Sequence, residues 1–259
     1  MPATFPSHAA AAVPFKLWWP RRFDGVALVV GSAAPDMYYA LNGYVIVPPT
    51  HNLAGLFWFA LPVTLVATVL IRRSAPVIAA HLPERPRWLA LRDYGVLGRV
   101  RHRWYVTVYS ALLGGLTHIV WDGFTHAPIA AHGWGVRLFP ALEAPSWFGV
   151  PWWLFAQHFS TIVGAAVVFA VAVHIGRHRL LRTWHGDPPD ITRTPAVFWS
   201  TFAAVAALYP PTWPLLRFQH ATYVQGVRMI WFFAAALLAG ATAAHLAARW
   251  RVRQAGWRA

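Results

Sequence analysis

The chain has no cysteine at all, so disulfides, thiolate metal ligands and cysteine nucleophiles are excluded, and any site chemistry falls to histidine and carboxylate. Acid is nearly as scarce: 8 Asp and Glu stand against 22 Lys and Arg, for a net charge of +14. Charged residues make up 12% of the 259 and hydrophobic ones 58%, which is too apolar for an ordinary soluble domain and predicts a polytopic membrane protein. Arginine gathers in short segments between apolar runs. Such clustering fits membrane orientation and contact with anionic head groups, and it argues against nucleic acid as a partner, because no soluble basic domain carries it. No P-loop, dinucleotide glycine fingerprint, Ser-His-Asp pattern, repeat or low-complexity segment is present. The start lacks the basic, apolar and small-residue order of a cleavable signal, so the mature protein is expected to keep its N-terminus.

Hydropathy and breakers predict an all-α transmembrane bundle of six to seven helices, a single integral domain over 1–259 that includes a short N-terminal helical hairpin. Residues 7–19 read as a helix stopped by Pro20, and Gly25 to about Tyr39 as its return. The first of these covers only about 20 Å at 1.5 Å per residue, less than a hydrocarbon core of roughly 30 Å, so it dips rather than spans. Spans are expected at 51–71, with a kink at Pro62, then at 104–126, 152–175, 195–214 and 225–248. The segments 72–103, 176–194 and 249–259 are rich in arginine, whereas 127–151 and 217–224 are poor. This alternation makes 72–103 a cytoplasmic basic loop and 249–259 a cytoplasmic basic tail of an inner-membrane protein. Trp18, Trp19, Trp104 and Trp250 fit an inner aromatic belt, and Trp121, Trp152, Trp153 and Trp213 an outer one.

The chemistry concentrates in Gly114 to His126. If this stretch is helical, His118, Asp122 and His126 recur every four residues on one face, which is metal-ligand spacing at the end of an apolar run where an ionisable group is expensive. With the arginine-derived orientation, His51 begins a span on the same outer side, His158 enters one just below it, and the hairpin opens His8 and Asp36 there too. The candidate metal ligands are therefore His8, Asp36, His51, His118, Asp122, His126 and His158, with Asp36 or Asp122 as general base. The bland readings are a solvated His8, a turn-forming Asp36, an interfacial His51, and His158 as hydrogen-bond glue between helices. His132 and His220 read as solvated loop residues. His81, His102, His178 and His185 read as inner-loop residues and His174 and His245 as helix-end ones, all without chemistry. Sulfur-free His and Asp donors suit Zn²⁺, or Mn²⁺ or Fe²⁺, and the donors suffice for two ions; such a site acidifies bound water.

Thr4 to Ala9, Gly-Ser-x-x-Pro-Asp at 31–36, His51 with Gly55-Leu56-Phe57, Thr-His-x-x-Trp-Asp-x-Phe-Thr-His at 117–126 and Gln-His-x-Ser-Thr at 157–161 carry a resemblance. Together they resemble an uncharacterised family of bacterial polytopic membrane proteins, the domain of unknown function numbered four-one-eight-four. More distantly, His8, Pro35-Asp36, His51 and His118-x-x-x-Asp122 are similar in order to the membrane-bound metal-dependent hydrolase family. That resemblance implies a metal site made from His8, Asp36, His51, His118 and Asp122. The additional His-x-x-x-Glu pair of zinc phospholipases is missing, which argues against a three-metal site. The expected function is a membrane-embedded metal-dependent hydrolase of a lipid or envelope phosphoester. The alternatives are a transporter or metal-handling permease, and a structural membrane protein whose polar cluster fixes helix packing. Single cysteines added to this cysteine-free chain test the orientation: one in 127–151 should react with an impermeant maleimide from outside, and one in 72–103 only after permeabilisation. The reverse pattern would overturn the topology.

Overall fold

Helices account for the regular structure of the computed structural model, which describes residues 7–46, 49–209 and 222–256, and no strand occurs among them. In chain order they are α1 (Ala9–Trp18), α2 (Gly25–Ala33), α3 (Leu53–His81), α4 (Trp104–Thr125), α5 (Trp134–Leu138), α6 (Trp152–Arg177), α7 (Leu180–His185), α8 (Pro195–Ala206) and α9 (Thr222–Gly256). Three of these, α3, α6 and α9, contain stretches long and apolar enough to cross a membrane. The 22-residue α4 is not one of them, since buried His118 and Asp122 interrupt its apolar run. Residues 210–221 carry the rest of the expected 195–214 span, most of 217–224, Trp213 and His220, and lie outside the described residues. So do Thr4 and residues 257–259.

Two element boundaries differ from expectation. α3 runs to His81 rather than to 71, so Arg72 and Arg73 lie in the helix. Arginine is a good helix former, and a change from apolar to basic sequence alters solvation without breaking backbone hydrogen bonds. The kink expected at Pro62 is a π-helical turn over Leu56–Ala60. Pro62 has no N–H and its ring crowds the carbonyl four residues back, so the wider turn relieves that crowding.

The chain divides into two compact units, residues 1–68 with 102–171, and 69–101 with 172–259. In the first, the turn between α1 and α2 is held by Lys16, whose Nζ donates to the carbonyls of Pro20 and Phe23 at 2.5 and 2.9 Å. Asp24 caps α2 by accepting from the Ala27 N–H, and it also accepts from the Thr107 hydroxyl of α4 at 2.8 Å. Glycine sets the spacing between α2 and α4. A Cβ on Gly31 would lie 2.4 Å from the Ala111 carbonyl oxygen, and one on Gly114 would lie 2.3 Å from that of Leu28. The two backbones therefore touch, as small residues allow in membrane-type packing.

The second unit is fastened by Asp93, which is buried, not solvated. Its carboxylate accepts from Arg179 at 2.9 Å and from Arg182 Nε at 2.7 Å. His81, expected in a loop, is the last residue of α3; its Nδ1 donates to Val77 O, its Nε2 accepts from the Thr194 N–H, and its ring stacks on Phe198. With both nitrogens used, its role is structural.

The glycine contact between α2 and α4 is open to test. Gly114→Ala should lower thermal stability by about 1 to 3 kcal/mol, the usual range for overpacking. Gly226→Ala, where an added Cβ meets nothing within 4 Å among the described residues, should leave stability unchanged or raise it. Equal effects at the two positions would contradict the contact.

Candidate metal centre

Close packing of α2 on α4 brings the Ser32 carbonyl against His118, whose Nδ1 donates to it at 2.8 Å. A carbonyl can only accept, so Nδ1 carries the proton and a neutral ring keeps its lone pair on Nε2. That nitrogen lies 3.2 Å from Asp122 Oδ2 and 3.7 Å from Asp36 Oδ1. It is completely buried and has no hydrogen-bond partner among the described residues.

His51 repeats the arrangement by another route. The Thr50 hydroxyl donates to the Pro35 carbonyl at 3.0 Å and, with its one proton so used, accepts from His51 Nδ1 at 3.0 Å. His51 Nε2 then faces Asp36 Oδ1 at 3.0 Å and Asp122 Oδ2 at 3.5 Å. Asp36 reaches this point because the chain continues from α2 into a 3-10 helix, Ala34–Leu41, with Pro35 at its start. Asn52, through its side chain, caps α3 and fixes the residue before it, His51, at the helix entrance.

Asp36 Oδ1, Asp122 Oδ2, His51 Nε2 and His118 Nε2 thus approach one another with nitrogen-to-oxygen distances of 3.0, 3.5, 3.7 and 3.2 Å. Four ligands placed tetrahedrally at 2.0 to 2.1 Å from one ion have edges of about 3.3 to 3.4 Å. These four distances bracket that value, and the four buried residues could hold a metal ion. The chemistry of the set agrees: two carboxylates and two imidazole Nε2 atoms converge with the Nδ1 sides turned outward, as they are in histidine metal ligands held by outer hydrogen bonds.

The other oxygen of Asp122 faces a second group. His126, at the end of α4, has Nδ1 at 3.7 Å from Asp122 Oδ1 and 3.2 Å from the Asp122 carbonyl, while its Nε2 meets the Gln157 amide at 3.2 Å. His132 packs its ring 4.4 Å from that of His126 and 5.0 Å from that of His51, and with Asp122 and His126 makes a second candidate ligand set. His8 lies on the first group, with Nε2 3.6 Å from Asp122 Oδ1 and its ring 3.9 Å from that of His118. Both of its ring nitrogens are buried and without hydrogen-bond partners among the described residues.

Six of the seven candidate residues therefore come together: His8, Asp36, His51, His118, Asp122 and His126. His158 does not. Its neighbour Gln157 points inward to His126, and one residue later α6 has turned by about 100°, which leaves His158 exposed. His132, expected to be solvated, belongs beside the site. A tight turn returns it there: Gly133 sits where any Cβ would lie 2.1 Å from Ala127 O, and Arg137 donates to the carbonyls of Pro128, Ala130 and Ala131. Burial, with His126 and His51 nearby, pushes the His132 pKa down to about 4, so its ring is neutral at pH 7 and has a lone pair to offer. Thr50 was also missed, because a hydroxyl that orients a ligand leaves no spacing signature.

An all-α chain with membrane-length helices and a buried cluster of histidines and aspartates defines the class. The chain belongs to the family described as Domain of unknown function (DUF4184), whose match covers residues 1–252. No curated protein and no solved structure matches it. The family match carries no activity with it, and the more distant likeness to metal-dependent hydrolases is not shown by these comparisons.

The tautomers give a direct check of this geometry. Nitrogen NMR of labelled histidine at neutral pH should find Nδ1 protonated in both His51 and His118, and Thr50→Val should release that preference in His51 alone. An Nε2-protonated tautomer of His118 in the parent protein would contradict the arrangement.

Proposed function

We propose that the protein is a membrane-embedded, metal-dependent hydrolase of a lipid or envelope phosphoester, with Asp36, His51, His118 and Asp122 holding a divalent cation. The observation that carries the metal is the buried His118 Nε2, close to two carboxylates and hydrogen-bonded to neither. A lone pair there suits a cation shared with those oxygens, whereas a protonated ring would keep an unsatisfied buried donor. Zn²⁺ fits the mixed nitrogen and oxygen donors best, and Mn²⁺ or Fe²⁺ also suits them. Asp122, His126 and His132 could take a second ion if His126 gives up its bond to the Asp122 carbonyl or to the Gln157 amide.

A divalent cation in this position supplies Lewis acidity and lowers the pKa of water toward neutrality. Asp36 meets His51 and His118 through Oδ1, which leaves Oδ2 to accept a proton. In the hydrolysis, the oxygen of water bonds to phosphorus and the bond from phosphorus to the leaving oxygen breaks. The proton lost by water passes to the carboxylate, and the leaving oxygen is protonated to an alcohol. The substrate class follows from depth. Gln157 and Ser160, which contact His126 and Trp121, lie about 8 and 12 Å along α6 from Trp152, near where a bilayer's head groups give way to hydrocarbon. In this reading α1, α2, α3, α4, α6, α8 and α9 make up the six to seven helices of an inner-membrane protein. The site opens outward, and the arginine-rich segments meet anionic lipid on the cytoplasmic side.

Two substitutions on one face of α4 test the proposal. His118→Ala and Asp122→Asn should each lose bound metal and hydrolytic activity together while the helices remain folded, because membrane helices are held by their own hydrogen bonds and by packing. If the cluster is only structural, each variant should instead lose about 1 to 3 kcal/mol of stability with no change in metal content. Metal crossing the membrane of reconstituted vesicles would favour a transporter.

A further inference from the structure

His8, which packs on the metal centre, is also the end of an apolar cleft. Ser7, His8, Ala10 and Ala11 of the α1 segment, Trp121 of α4 and the 156–167 face of α6 enclose a space of about 360 Å³. His8 is the one lining residue with an ionisable side chain, and its ring rests on that of His118. Beyond it the walls are aliphatic or aromatic: Ala156, Phe159, Val163 and Val167. Trp121 Nε1 donates to Ser160 Oγ at 3.1 Å, which satisfies the polar atoms at the cleft's upper wall. Gly164 and Ser7 bring α6 against the start of α1, where a Cβ on the glycine would lie 2.5 Å from Ser7 Cβ. From Ser160 to Val167 the α6 wall is about 10 Å long.

We propose that this cleft receives one hydrocarbon chain of the substrate, so that the hydrolase acts on a phosphoester lipid drawn from the bilayer. The inference rests on the metal-dependent reading of the same site. The cleft carries no charge that could hold a free polar metabolite, and its polar end is His8, whose ring rests on His118 of the centre. Phe159 and Val163, which line it, are exposed on a helix that is long and apolar enough to cross a membrane. A chain entering there exchanges lipid contacts for protein ones at little cost, and brings the phosphoester to His8, beside His118. Small residues at positions 10, 11, 156 and 164 leave the space that the chain fills.

The test uses the full chain in phosphatidylcholine nanodiscs, with hexadecyl phosphate carrying a mid-chain diazirine as probe. After illumination, adducts should concentrate on peptides covering 10–11 and 156–167. Unlabelled hexadecyl phosphate should suppress them and inorganic phosphate should not. The double variant Ala156→Phe with Val163→Phe, which fills the cleft, should reduce these adducts about tenfold while bound metal is retained. Adducts spread evenly over α3, α6 and α9, or unchanged by the filling variant, would overturn the cleft assignment and leave the metal centre standing. Cleft adducts in a protein that binds no metal would support chain binding and defeat the hydrolase reading.

Discussion

Two carboxylates, Asp36 and Asp122, are buried within reach of the same imidazole nitrogens, and the protein must supply positive charge between them. The alternative is carboxylate repulsion in a medium that screens poorly, with a desolvation cost of several kcal/mol for each ion. Protons on the histidines could provide part of that charge at His51, whose Nε2 is within hydrogen-bond distance of Asp36 Oδ1, but not at His118, whose Nε2 makes no hydrogen bond. Ser32 and Thr50 hold the Nδ1 side of His118 and His51 on the outer side of each ring. A cation among these four donors would supply that charge, and their spacing is the size of a coordination shell.

The rest of the first unit places those donors. Glycines 31 and 114 let α2 and α4 meet backbone to backbone, which puts the Ser32 carbonyl where His118 can reach it. The turn after α2 presents Asp36, the cap at Asn52 presents His51, and the short return after α4 presents His132. Each ligand is thus fixed by a local backbone feature one or a few residues away. This is the arrangement a rigid site requires, since ligand precision comes from the groups that hold the ligands.

Much of this was legible in the sequence where a period or a charge imbalance carried it. The four-residue spacing of His118, Asp122 and His126 located the face of α4, and scarcity of acid made Asp36 and Asp122 conspicuous. The hairpin was readable from Pro20 and the basic residues that follow it. Residues fixed by tertiary return were not readable: His132 looked like a loop histidine because nothing local shows that Gly133 and Arg137 fold its loop back. His158 was the candidate and Gln157 only its polar neighbour, and the rotation of α6 decides which one points inward. The end of α3 was placed too early because a change from apolar to basic residues was taken for a helix end, whereas backbone hydrogen bonds continue through it to His81.

Elemental analysis of the parent protein, purified without chelator and exchanged into metal-free buffer, tests the central claim most directly. The account predicts one or two equivalents of a divalent transition metal per chain that survive the exchange. A folded protein that carries no stoichiometric metal, and takes none up when Zn²⁺, Mn²⁺ or Fe²⁺ is added, would contradict it.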